Sequence, residues 1–188
     1  MLDPYVYPGT NILKNILGIQ DRQMLDDAEA DYVSLRLREL AENPLEGNYD
    51  VGHLAEMHKY IFQDIYEWAG KIRTINIEKE EPALGGLSIE YSDKAEIEGD
   101  LSDALKKMAS RSWANLSLDD RAKCFSEDLA VVWKVHGFRD DGVIIGTRLE
   151  KPSKINGFAL LSPNFFMPER ENGITSLLHI LLASSMKV

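Results

Sequence analysis

A chain of 188 residues with 44% hydrophobic and 28% charged residues has the balance of one globular domain with a sizeable core. Its formal net charge of -10 argues against a broad electrostatic grip on nucleic acid or on an anionic membrane. Cys124 is the single cysteine, which excludes an internal disulfide, and no apolar run approaches the roughly 20 residues of a membrane span.

The opening, MLDPYVYPGT, has no basic region followed by an apolar one, so it does not read as a signal peptide, and the cytosol is the expected compartment. Residues 1–9 read as extended and Pro-rich. Thr10 is positioned to cap a short helix through Gly18. Asp21 is positioned to cap a longer one over 22–42, with Leu25, Ala28, Tyr32 and Leu35 facing inward and Pro44 and Gly47-Asn48 ending it. A third helix is expected over 51–66, on the stripe Leu54, Met57, Ile61 and Ile65. His53 and His58 lie five apart, which does not put both on one helix face, so solvent or cap roles are expected rather than a metal pair.

The period then changes. Lys71 to Glu78, KIRTINIE, alternates apolar and polar as a strand does, residues 80–86 turn, and Leu87 to Tyr91 alternates again. One hairpin in an otherwise helical protein is expected, leaning on helices because two strands alone are marginal. A helix over 94–110 carries Ile97, Leu101, Leu105 and Met108. Ser117 is placed to cap the next helix, with Asp119 and Asp120 favourable in its first turn. A last helix is expected over 173–186, on Ile174, Leu177, Leu178 and Leu181. The fold class is therefore mostly α, as a single domain over 1–188: N-terminal helices within 10–42, a core of about 50–160 and a C-terminal helix at 173–186.

The chemistry concentrates in residues 121–148, RAKCFSEDLAVVWKVHGFRDDGVIIGTR. Ala122, Phe125, Leu129, Val132 and His136 recur at steps of three and four, so an apolar helical stripe ends in a histidine. Cys124, one position from Phe125, reads as a packed thiol without an activating neighbour. Beyond the histidine come a turn with Asp140, Asp141 and Gly142, an aliphatic run, and Arg148. Such a set can hold a metal-bound phosphate: the histidine takes a proton, an acid holds Mg²⁺, and turn amides hold anionic oxygens. The plainer alternative is a histidine closing a helix end and an Asp-Asp-Gly turn that is only a turn.

Four stretches resemble the Fic family, in order and over most of the chain. HKYIFQDIYEWAGKIRTINI, residues 58–77, is similar to the helix that leads into the family's target-binding hairpin, the flap. YVYPGTNILKNILGI is similar to the start of Fic proteins that pair with a separate small antitoxin. VHGFRDDG resembles the beginning of the active-site motif, and NGFALLSPNFF the segment after the active-site helix. The resemblance implies a mostly helical fold that transfers AMP from ATP, with Mg²⁺, to a hydroxyl of a target protein. It also implies His136 as the base, Phe138 as the residue packing the loop onto the core, and Asp140 or Asp141 as the metal ligand. The docking flap would be Ile75, Asn76, Ile77 and Glu78. The implied partners are a target protein, a topoisomerase such as gyrase in antitoxin-paired relatives, and a small antitoxin protein. Neither nucleic acid nor a membrane is an expected direct partner.

The motif then departs from the family, which continues with acid, glycine, asparagine, a small residue and an arginine. Without a gap those places hold Asp140, Asp141, Gly142, Val143 and Ile144. With one inserted residue Asp141 and Gly142 match, Val143 takes the asparagine place, Ile145 the first arginine place, and Arg148 that of a second family arginine. The gapped register is preferred because it keeps Asp-Gly together and gives Gly142 and Arg148 nucleotide-binding roles. Both registers put aliphatic side chains, which donate no hydrogen bonds, where phosphate donors are expected. The family's inhibitory motif is also incomplete. Glu46-Gly47 and Glu171-Asn172 resemble its end, but Glu42 and Met167 stand where the hydroxyl belongs, so an inhibitory helix is expected from another polypeptide. Two readings follow: a Fic-type adenylyltransferase, impaired by its motif, and a Fic fold that no longer transfers AMP and serves as a binding module.

Overall fold

The computed structural model describes residues 3–81 and 87–140. The expected turn at 80–86 lies largely outside them, and the expected helix at 173–186 lies wholly outside. Within the described residues the order is α1 (Arg22–Glu42), α2 (Val51–Phe62), β1 (Glu78–Glu81), β2 (Leu87–Glu90), α3 (Ile97–Ala109) and α4 (Leu118–Val135), with a short 3-10 turn at Trp113–Asn115. This is the expected mostly helical architecture with one hairpin. No helix among the described residues is long and apolar enough to cross a membrane.

Three helix starts follow local capping chemistry. Asp21, Asp50 and Ser117 stand in extended backbone and accept from the amides of Met24, His53 and Asp120, each satisfying an amide that the first turn leaves unpaired. The expected helix from Thr10 to Gly18 does not form. Thr10 instead stabilises a turn: its hydroxyl donates to the Tyr7 carbonyl and accepts from the Ile12 amide, and Val6 bridges Leu13. Ile12 and Leu13 are thereby buried. α2 also ends earlier than expected, at Phe62, and a non-helical segment carries the buried Ile65, Tyr66 and Ala69.

α1 buries a different face from the expected one. Leu25, Glu29, Val33, Leu37 and Leu40 point inward, while Tyr32 and Leu35 are 36% and 42% exposed. Glu29 lies on that face, its carboxylate accepting from the Tyr66 hydroxyl at 2.6 Å inside the core. A buried carboxylate is tolerated when it is hydrogen-bonded, so the apolar stripe of Leu25, Val33, Leu37 and Leu40 can run through it.

One apolar cluster joins residues 12–13, α1 and the segment from Phe62 to Ala69. A second joins Ile97 and Leu101 of α3 to Val135 at the end of α4, with Val51, Leu54, Ile72 and Val132 packed on it. The stripe Ile97, Leu101, Leu105 and Met108 is buried as expected. α3 and α4 are further tied by Asp128, which is buried on α4, pairs with Lys107 of α3 at 3.5 Å and accepts from Nη2 of Arg111, just past α3, at 2.7 Å.

The hairpin sits later in the chain than the alternation predicts. β1 begins at Glu78 and pairs antiparallel with β2, Glu78 opposite Glu90 and Glu81 opposite Leu87. Residues 71–77 are not a ladder: Ile72 makes an isolated bridge to Phe138, and Thr74 and Ile75 bend. The alternation misleads because Arg73, one of its polar positions, is among the most buried side chains, at 1% exposed.

Candidate active site

α4 ends at Val135, and His136 follows it in left-handed backbone, φ 45° and ψ 60°, with its amide donating to the Trp133 carbonyl at 3.1 Å. A non-glycine residue is uncommon there because its Cβ crowds the backbone. The turn redirects the chain at once. Gly137 crosses α3 so closely that a Cβ would lie 2.9 Å from Leu101 Cδ1 and 3.1 Å from Ile97 Cγ2. The His136 imidazole, half-buried, stacks on Tyr91 just beyond β2, with ring centroids 4.5 Å apart and planes 23° apart.

Phe138 packs the loop as the family resemblance implies. It is buried, and its ring stacks on His58 of α2 at 4.2 Å. His58 is in turn stacked on Phe62 at 4.5 Å. It is neither solvent-exposed nor a cap. Its Nδ1 accepts from the Gly70 amide at 2.9 Å, so the neutral ring carries its proton on Nε2, which faces Asp140 Oδ2 at 3.3 Å. His53 is buried too, its Nδ1 accepting from the Tyr49 amide and its Nε2 donating to the Leu45 carbonyl. It ties the loop before α2 in place, which is close to the cap role expected of it but not to a solvent one.

Two further contacts hold the loop. Trp68 Nε1 donates to the Arg139 carbonyl at 2.7 Å, and Arg139 Nη2 donates to Asp3 Oδ2 at 2.9 Å. His136 and Asp140, both named from the sequence, thus stand in one five-residue turn, the histidine against the hairpin and the acid against α2. Asp141, Gly142 and Arg148 lie outside the described residues, as do Val143, Ile144 and Ile145.

Of the expected flap residues only Glu78 belongs to β1. The Ile75 carbonyl accepts from Arg73 Nη1 at 2.6 Å. Asn76 donates to Asp93 Oδ2 at 2.7 Å and accepts from the Lys94 amide at 2.8 Å. The Ala95 amide, and Asn76 after it, hold the Asp93 carboxyl below the usual range. Ile75 and Ile77 are half-buried, and Asn76 and Glu78 exposed.

Four residues that support this site have no part in it on sequence grounds: Trp68, Arg73, Tyr91 and His58, the last expected in a solvent or cap role. A signal for His58 existed in the aromatic series His58, Phe62, Tyr66 at steps of four, which on a helix brings rings together. None existed for Arg73, whose partners are backbone carbonyls.

Among the described residues no group of three His, Cys, Asp or Glu side chains could hold a metal ion. Mg²⁺ on a nucleotide is commonly bound by one or two carboxylates plus phosphate oxygens. Asp140, 14% exposed at its side chain and offering carboxylate oxygens, is chemically suited to such a contact.

No family model matches the chain. The protein adenylyltransferase VbhT of Bartonella schoenbuchensis is 40% identical over 78 residues, 42% of this chain and 16% of that relative. The match therefore spans about a sixth of that protein. Among solved structures, the N-terminal Fic domain of a VirB-translocated effector protein from Bartonella sp. AR 15-3 superposes with a TM-score of 0.63 at 26% identity, covering 74% of this chain and 65% of that one. BepC of Bartonella tribocorum, solved with bound AMPPNP, superposes with a TM-score of 0.61 at 23% identity, covering 74% and 70%.

Proposed function

We propose that this chain, Fic-like in both fold and sequence, is a protein adenylyltransferase that moves AMP from ATP to a hydroxyl of a target protein. The carrying observation is that His136 stacks on Tyr91, beside the hairpin that would present a target. In this reading the target hydroxyl oxygen attacks the α-phosphorus of ATP, the bond to the departing pyrophosphate breaks, and His136 takes the hydroxyl proton. The AMPPNP bound to the BepC relative supports a nucleoside triphosphate as substrate. Asp140 or Asp141 would hold Mg²⁺, which when bound would neutralise charge on the phosphates, and Gly142 and Arg148 would bind the nucleotide. An extended target segment adds to the outer edge of the hairpin from Glu78 onward, with Ile75 to Ile77 leading into it, where main-chain bonds set register without demanding a side-chain sequence. The target is a bacterial protein, a topoisomerase such as gyrase being the class that the resemblance suggests. Inhibition comes from a small separate antitoxin, and the compartment is the cytoplasm.

The degenerate motif favours a second reading. Val143 and Ile145 stand where asparagine and arginine are expected, and a Fic fold serving only as a binding module would retain no such donors. Loss of a charged phosphate donor costs about 1.5–3 kcal/mol, or roughly ten- to a hundredfold in ATP affinity. Incubation with labelled ATP, Mg²⁺ and cell lysate separates the readings: label on a protein band, absent with His136→Ala, is the expected result. The pair Val143→Asn with Ile145→Arg is expected to strengthen ATP binding and transfer. If Gly142→Asn with Ile144→Arg does so instead, the ungapped register holds and Asp140 is the metal ligand. If neither pair yields labelling from folded protein, the binding module replaces the enzyme.

A further inference from the structure

We propose that Arg73 is the positioning residue for His136, clamping it, together with Tyr91, to the chain on both sides of the hairpin. The guanidinium donates through Nε to the His136 carbonyl at 2.7 Å and through Nη1 to the Ile75 carbonyl at 2.6 Å. Nη2 donates to the Ser92 carbonyl and, at 3.3 Å, to the Val135 carbonyl. The Arg73 amide donates to the Gly137 carbonyl at 2.9 Å. One residue thus grips the three consecutive carbonyls of Val135, His136 and Gly137 and joins them to the chain before β1 and after β2.

The chemistry of the acceptors gives the clamp its strength. The last carbonyls of α4 lack intrahelical partners and form the negative end of the helix dipole, so a cation there is favoured. Burial pushes the guanidinium's pKa down and Asp93 opposes this, yet an arginine stays charged in a protein. At His136 the left-handed backbone is disfavoured for a residue with a Cβ and persists only where its surroundings over-determine it. Arg73 on the carbonyl, Trp133 on the amide and Tyr91 on the ring are those surroundings. The same five-bond arrangement makes the hairpin and the histidine one unit, so whatever docks on the hairpin meets an imidazole already oriented.

The catalytic part of this inference rests on reading His136 as the base, whereas the positioning part does not. A test on the full chain therefore uses proton NMR beside activity. The His136 ring signals, identified by their loss in His136→Gln, are expected upfield because the ring lies over the face of Tyr91. Tyr91→Leu is expected to abolish that shift. Arg73→Lys keeps the charge but cannot span separated carbonyls, and is expected to reduce the shift by half or more in protein still folded by circular dichroism. It is also expected to lower kcat for AMP transfer about tenfold or more, with KM for ATP within about twofold. An Arg73→Lys protein that loses thermal stability but keeps the His136 signal in place would make Arg73 a packing residue and overturn the proposal. Should Arg73→Lys not fold, exchange of the Arg73 Nε proton in the unaltered protein decides: slow exchange supports the clamp and rapid exchange refutes it. Absence of AMP transfer in the unaltered chain counts against the proposed function alone, since the NMR outcome still decides the clamp.

Discussion

Gly9 and Gly70 share the same backbone angle, φ +77°, and differ in what surrounds them. A Cβ on Gly9 would meet nothing within 4 Å, whereas one on Gly70 would lie 2.6 Å from both the Ala55 carbonyl oxygen and Lys59 Cβ. The Gly70 amide also donates to His58, the ring on which Phe138 stacks. Gly9→Ala is therefore expected to cost only the left-handed penalty, about 1–2 kcal/mol. Gly70→Ala is expected to cost at least about 1 kcal/mol more, because the Ala55 backbone cannot yield cheaply. Urea titration of the two variants checks the order, and equal losses would show that the close approach to α2 is not restrictive.

At the scale of elements, α2 carries the supports of the site on one end and its cap on the other. Asp50 accepts from the His53 amide at 2.9 Å, and His53 in turn holds the Tyr49 and Leu45 loop. Asp50→Ala is expected to lower stability by about 0.5–2 kcal/mol, the range for losing an N-cap side chain. Asp50→Ser should recover most of it, since a hydroxyl also accepts from the first-turn amides. Denaturant midpoints for the three proteins test this, and a serine variant no better than alanine would mean that the carboxylate acts by charge and not by capping. The hairpin is the element whose boundaries moved most. Ile72 bridges Phe138 and Arg73 turns inward to the end of α4, so the alternating run from Lys71 is spent on anchoring and the ladder starts only at Glu78.

Across the molecule, the ion pair of Arg36 and Asp64 joins α1 to the segment after α2. Arg36 Nε and Nη2 donate to the two Asp64 oxygens at 2.7 and 2.9 Å, a two-point grip. Hydrogen bonding from Arg36 is the first cause holding the Asp64 carboxyl below its ordinary range, and it lowers Glu39 as well, with Tyr60 second there. A carboxyl whose folded pKa is depressed contributes stability that is present above its unfolded value, near 4, and is lost as pH falls through the lower folded value. Asp64→Asn is thus expected to melt below the unaltered protein at pH 7, with the gap narrowing below about pH 4 as Asp64 becomes protonated. Melting curves at pH 7, 5 and 3 measure it, and a gap that stays constant or widens in acid would exclude this pair as its source.

What the amino-acid sequence determined alone is what neighbours within a few positions can decide. Asp21 and Ser117 cap α1 and α4, the stripe of α3 faces inward, and the change of period announces a hairpin. Such signals are legible because a cap or a stripe is satisfied within one or two turns. The tertiary structure alone decided which polar groups go inside. Glu29 is buried because Tyr66, 37 residues away, donates to it. Arg73 is buried because carbonyls 62 and 63 residues on accept its protons. His58 turns inward to an aspartate 82 residues distant. A buried charge or imidazole is affordable only when its partners are already in place, and those partners meet only when the chain has folded around them. The histidine of the site could be named from its position after a helical stripe. The arginine that orients it could not, because its acceptors are main-chain oxygens that every residue carries.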